Sequence, residues 1–198
     1  NKFESYGEEE IKAVETCLRD GWLAGFGDRT TEFEKRVSDL FGKKHGLFVN
    51  SGSSAILLGL CALDLPKGSE VVTPACGFAT TVAPLMQLGL KPVFCDVGFN
   101  SYVPSVEDLK KVVTPETKCL LLPNLIGNVP DWEAIREAFP GVTLFEDSAD
   151  TITHTDCTDI STTSFYASHV ITAGGVGGMV MFNDPKHLKR ALMFRDWG

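Results

Sequence analysis

The sequence predicts an α/β domain, a mostly parallel seven-stranded sheet lying between layers of helices. Three observations predict it. Seven short apolar runs are spread along the 198 residues. They are near-continuously hydrophobic rather than alternating, as strands covered on both faces are. Helical segments separate most of them, the pattern of parallel strands joined by crossovers.

In chain order, Glu8–Arg19 places Ile11, Val14 and Leu18 on one helical face, and Glu32–Phe41 does the same with Phe33, Val37 and Leu40. The first strand is Gly46–Asn50, followed by a helix that Ser51 or Ser53 caps and that runs to about Leu63. The strand Glu70–Thr73, the helix Thr80–Leu88 and the strand Pro92–Asp96 come next. A helix over Val106–Val112 then leads to the strand Lys118–Pro123. The helix Asp131–Phe139 is stopped by Pro140-Gly141. Val142–Glu146, Thr162–Phe165 and Gly178–Phe182 are the last three strands, and Pro185–Phe194 the last helix.

Composition narrows the class. With 43% hydrophobic and 22% charged residues the chain is an ordinary globular one. A net charge of −8 argues against a nucleic-acid groove. It leaves room for a phosphorylated ligand, which backbone N–H groups at a helix start can hold locally. Six scattered cysteines (Cys17, Cys61, Cys76, Cys95, Cys119, Cys157) show no C-x-x-C pair and no metal-binding spacing, so no metal site is expected. Most read as reduced core or strand residues of a cytoplasmic protein. No signal peptide and no membrane-spanning run is visible. The chain begins without Met and stops just beyond a helix, at Arg195-Asp196-Trp197-Gly198, which suggests a fragment of a longer chain.

In parallel sheets ligands sit at the carboxyl ends of strands, and the residues able to carry chemistry fall there. Asn50-Ser51-Gly52-Ser53-Ser54-Ala55 is a small-residue turn between strand and helix, a phosphate cradle or an ordinary cap. Phe78, after the second strand, could stack on a planar ligand or fill core. Glu146-Asp147 ends a buried strand, where acids need partners or a function. Ser164 leaves the sixth strand and His169 follows five residues later. His45, His154 and His187 are assigned ordinary structural roles. Singly none of these residues is specific; their order is.

That order resembles the DegT/DnrJ-type sugar aminotransferase family, pyridoxal phosphate (PLP) enzymes of fold type I. The resemblance runs from Tyr6-Gly7-Glu8-Glu9-Glu10-Ile11 through Gly21-Trp22-Leu23, the Asn50–Ala55 turn, Pro92-Val93-Phe94, Glu146-Asp147 and Ser164–His169 to the C-terminal end. It implies a three-layer PLP-transferase large domain over residues 1–198, with an N-terminal helical segment over about 1–42 and the C-terminal small domain absent. It also implies that Gly52, Ser53 and Ser164 hold the cofactor phosphate, Phe78 stacks on the ring and Asp147 faces the pyridine nitrogen.

In Ser164-Phe165-Tyr166-Ala167-Ser168-His169 a histidine stands where the family carries its Schiff-base lysine, and no lysine lies between Lys118 and Lys186. An imidazole cannot form the covalent tether but can move protons near neutral pH. With Asp150 in Ser148-Ala149-Asp150, with Thr80-Thr81-Val82-Ala83-Pro84 and with Gly127-Asn128, this is similar to the 3-dehydrases of nucleotide-linked 4-keto-6-deoxysugars. That subgroup uses non-covalent pyridoxamine phosphate (PMP). The resemblance implies a catalytic His169, Asp150 at the cofactor, a nucleotide-sugar substrate, a homodimer and in some branches a reductase partner. An iron–sulfur cluster would belong only to the missing half. Two readings stay open beside it: an aminotransferase whose lysine is replaced, and a non-catalytic cofactor- or nucleotide-sugar-binding relative. One departure is the loop Thr172-Ala173-Gly174-Gly175-Val176-Gly177-Gly178, which lacks the family's Glu and is one residue longer.

Overall fold

A computed structural model describes residues 6–22 and 24–197. Leu23 and Gly198, which belong to two of the resembling segments, lie outside the described residues.

The helices are α1 (Glu8–Asp20), α2 (Asp28–Leu40), α3 (Gly52–Leu63), α4 (Ala79–Gln87), α5 (Val106–Lys110), α6 (Trp132–Ala138) and α7 (Pro185–Arg195). The strands are β1 (His45–Val49), β2 (Glu70–Pro74), β3 (Lys91–Cys95), β4 (Thr117–Pro123), β5 (Thr143–Ser148), β6 (Ile160–Ser164) and β7 (Gly178–Phe182). They form one sheet in the order β1-β7-β6-β5-β4-β2-β3. All neighbours run parallel except β7, which is antiparallel to both β1 and β6. The expected mostly parallel sheet is therefore observed.

Alternation along the strands sends side chains to both faces. Val71, Leu121, Phe145, Ile160 and Val180 meet α3 residues such as Ile56 and Leu60 on one face. Val72, Leu120, Leu122 and Leu144 meet Trp132 and Ile135 of α6 on the other. A third cluster packs Val37 and Phe41 against Phe165, Met179 and Met181. Arg195 ties α7 to α2 and β1: its Nη1 donates to Glu34 Oε1 at 3.0 Å, and the Phe48 amide donates to the same oxygen at 2.8 Å.

Several expectations are corrected. α1 has the predicted amphipathic face, yet it buries nothing, and Ile11, Val14 and Leu18 are exposed because nothing among the described residues packs on them. α2 begins at Asp28 rather than Glu32, and Leu40 is exposed at its last turn. β6 starts earlier than hydrophobicity indicates and releases Phe165 into the third cluster. Its sequence Ile160-Ser161-Thr162-Thr163-Ser164 is polar but fully buried, since its hydroxyls find partners in β5 and the loop after it. Only Cys95 and Cys119 are buried among the cysteines, and Cys76 is exposed. Among the described residues no helix is long and apolar enough to cross a membrane.

Candidate active site

A cavity of about 770 Å³ opens where β4, β5 and β6 end and α3 and α4 begin. Ser51, Gly52, Ser53, Phe78, Asp147, Asp150, Ser164 and His169 all line it, whereas Glu146, the other acid at the end of β5, does not.

The α3 start is built from the sequence upward. Ser51 is its N-cap, accepting from the Ser54 amide at 3.1 Å, and Ala55 N bonds Ser51 O at 3.0 Å. The amides of Gly52 and Ser53 therefore remain among the free donors of a helix N-terminus. A Cβ on Gly52 would lie 2.9 Å from Ser164 Cβ, so only glycine lets β6 approach the turn this closely. The two amides and the hydroxyls of Ser53 and Ser164 make a compact set of neutral donors suited to a phosphate. Phe78 is the N-cap residue of α4, and its ring is 69% exposed at the cavity wall rather than in the core.

Asp147 is 6% exposed at the end of β5. Burial pushes its carboxyl up to about 6, opposed by hydrogen bonds from Thr81 and the Ala149 amide and by the charge of His169, while Asp150 adds to the rise. Thr81 Oγ1 donates to Asp147 Oδ2 at 2.8 Å. A buried acid so held suits a protonated ring nitrogen, which would restore its ionised form. His169 Nε2 stands 3.5 Å from Asp150 Oδ1, and its ring meets Tyr166 edge-on with centroids 5.8 Å apart. Its Nδ1 is buried without a hydrogen-bond partner among the described residues. The donor set, the Gly52 cradle and this partnerless nitrogen fit a pyridoxal-type phosphate.

Tyr166 and the wall formed by Leu125 and Ile126 line the cavity without having been foreseen, and neither was the role of Thr81, which reaches the site through Asp147. The Thr80-Thr81 pair hinted at Thr81, but only helix phase decides which threonine meets Asp147. The glycine loop is closed without a glutamate: Thr172 Oγ1 donates to Phe165 O at 2.9 Å and accepts from the Gly175 amide at 2.9 Å.

The profile of the DegT/DnrJ/EryC1/StrS aminotransferase family matches residues 4–198. The chain belongs to this family. Among its family relatives, the lipopolysaccharide biosynthesis protein RfbH of Salmonella typhimurium is 37% identical over 97% of this chain and 47% of that protein. The dTDP-4-dehydro-2,6-dideoxy-D-glucose 3-dehydratase of Saccharopolyspora spinosa is 35% identical over 96% of this chain and 44% of its own length. A solved structure of Escherichia coli GDP-4-keto-6-deoxy-D-mannose-3-dehydratase with bound hydrated PLP superposes with a TM-score of 0.88. It is 29% identical, over 97% of this chain and 52% of that one. The chain thus spans about half the length of the relatives it matches, and its fold is the large domain of PLP-type enzymes.

Proposed function

We propose that the full-length protein removes the 3-hydroxyl of a nucleotide-linked 4-keto-6-deoxysugar, with PMP held non-covalently and His169 as the base. The observation that carries this reading is His169 at the cavity wall beside Asp150, with no lysine or arginine lining the cavity among the described residues. Lys43, the buried lysine, is engaged elsewhere, its Nζ donating to the carbonyls of Phe41 and Thr155. Bound PMP would supply an amine for the sugar's keto carbon and a ring that accepts the electron pair released on proton removal.

The protein's own residues do the rest. Gly52, Ser53 and Ser164 hold the phosphate, Phe78 covers the ring, and Asp147, kept in place by Thr81, pairs with the ring nitrogen. Nδ1 of His169 is buried without a partner among the described residues, so the nitrogen offered to the cavity is Nε2, on the side of Asp150. Nε2 takes the proton, Asp150 steadies the imidazolium that results, and the imidazolium returns the proton to the departing 3-hydroxyl, which leaves as water. Base assistance of this kind accelerates a step roughly 10²–10⁴-fold. Because no lysine or arginine among the described residues lines the cavity, the charge that balances the cofactor and nucleotide phosphates is assigned to the rest of the full-length chain or to a second copy in a homodimer.

The test uses the full-length protein with PMP and a nucleotide-linked 4-keto-6-deoxyhexose, the products being read by mass spectrometry. Loss of the 3-hydroxyl is expected. His169→Asn should reduce it by roughly 10²-fold or more while PMP still binds. An aminosugar that keeps its hydroxyl, or substantial turnover by the variant, would overturn the proposal.

A further inference from the structure

Behind the cavity, on the other face of β5, lies a carboxylate that the proposed chemistry does not use. Glu146 is fully buried between Phe145 and Asp147. Strand alternation points it away from the cavity, toward the side of the sheet where Leu144 packs. Six donors converge on it. Asn124 Nδ2 (2.6 Å), Ser148 Oγ (3.1 Å), Thr153 Oγ1 (2.6 Å) and Thr155 Oγ1 (3.2 Å) reach Oε1. Thr158 Oγ1 (3.0 Å) and Ser161 Oγ (2.6 Å) reach Oε2. Burial lowers the Lys43 ammonium below its usual range, and the nearby Glu146 charge is the main effect opposing this. A carboxylate accepts about four strong hydrogen bonds, so this shell is saturated.

Ser148 ends β5 itself, and the other five donors come from three places that frame the cavity. Asn124 follows β4 and precedes the Leu125–Ile126 wall. Thr153, Thr155 and Thr158 lie in the connection that leaves β5 and carries Asp150. Ser161 is in β6, three residues before Ser164. Asn124 binds the frame further: its amide donates to Asp147 O at 2.8 Å, and its carbonyl accepts from Thr151 Oγ1 at 2.8 Å. Thr151 Oγ1 also takes the Gly127 amide at 3.1 Å, joining the two cavity-lining loops. Ile126 sits in the left-handed region at φ 53°, a conformation that a β-branched residue keeps only when its surroundings enforce it.

We propose that Glu146 is a positioning residue: through its hydroxyl shell it fixes the 149–158 connection and so places the Asp150 carboxylate beside His169. Its importance for cofactor binding rests on the reading of the cavity given above; its geometric role does not.

Glu146→Leu, Thr153→Val and Glu146→Gln in the full-length protein test it by two measurements, the PMP dissociation constant and the crystallographic Asp150–His169 separation. Since a displacement of about 1 Å in a site is costly, Glu146→Leu and Thr153→Val should weaken PMP binding roughly tenfold and threefold. Both should also lengthen the 3.5 Å contact. Glu146→Gln, whose amide can be met by rotated Thr158 and Ser161 hydroxyls, should stay within about threefold of wild type. If Glu146→Leu and Thr153→Val keep both values and lose only thermal stability, the proposal is wrong. Should Glu146→Leu not fold, Thr153→Val decides by the same readouts. Failure of the wild type to bind PMP would defeat the cofactor reading, while the Asp150–His169 separations would still decide this one.

Discussion

Asp147→Asn isolates what burial costs the candidate site. Asp147 titrates near 6 in the folded protein against an ordinary 3.8. The fold therefore binds a proton that the unfolded chain has released, and stability falls as pH rises from about 4 to about 6. At 1.36 kcal/mol for each unit, the penalty is under about 1 kcal/mol at pH 4 and about 3 kcal/mol above pH 6. Asparagine has nearly the same shape, carries no charge, and its Oδ1 can still accept from Thr81. The cofactor-free variant should thus be more stable than wild type by about 3 kcal/mol at pH 8 and by little at pH 4. In a domain of this size that is a rise of roughly 6–12 °C in Tm at pH 8. Thermal unfolding of both proteins without cofactor at the two pH values measures it. In the same variant PMP should bind more weakly, because the ring nitrogen loses its carboxylate. A stability difference that is absent, or the same at both pH values, would refute the assignment of a strained buried acid.

Two further substitutions probe the same architecture. Thr81→Val removes a donor that holds the Asp147 carboxyl down. A hydrogen bond to a charged acceptor is worth about 1.5–3 kcal/mol, which raises the Asp147 pKa by about one to two units, so PMP affinity at pH 7 should fall roughly 2- to 15-fold. The deficit should shrink at pH 8.5, where Asp147 ionises unaided, and titration calorimetry at both pH values would detect it. Gly178→Ala drives a Cβ into the backbone of Ser51 and Gly52. Overpacking against main chain should cost roughly 2–4 kcal/mol in denaturant unfolding and disturb the α3 start. A loss below 0.5 kcal/mol, on the order of a neutral surface change, would contradict the close approach of β7 to that turn.

Much of the fold was legible because its signals are local. Apart from β6 the strands are apolar runs bounded by turn residues, and all seven are observed within two residues of their expected positions. The site residues were legible as an ordered set, since a parallel sheet puts every strand-to-helix junction at one edge. Where local reading failed, burial had been decided by distant partners. The β6 run looks too polar for a central strand until Glu146 and the β5 backbone supply partners for its hydroxyls. The α1 face looks like core, yet nothing described covers it.

The sequence alone determined which residues are available: a histidine in the lysine position, an acid at the end of β5, a glycine–serine turn and no lysine nearby. Their placement was a tertiary matter. Asp150 faces His169 because a saturated carboxylate on the far side of the sheet holds the connection that carries Asp150. Thr81 rather than Thr80 meets Asp147 because of the phase of α4. Gly52 is needed because Ser164, 112 positions later, rests against it. Spacing along a chain fixes which face a side chain takes, but only packing of separate elements fixes what it meets there.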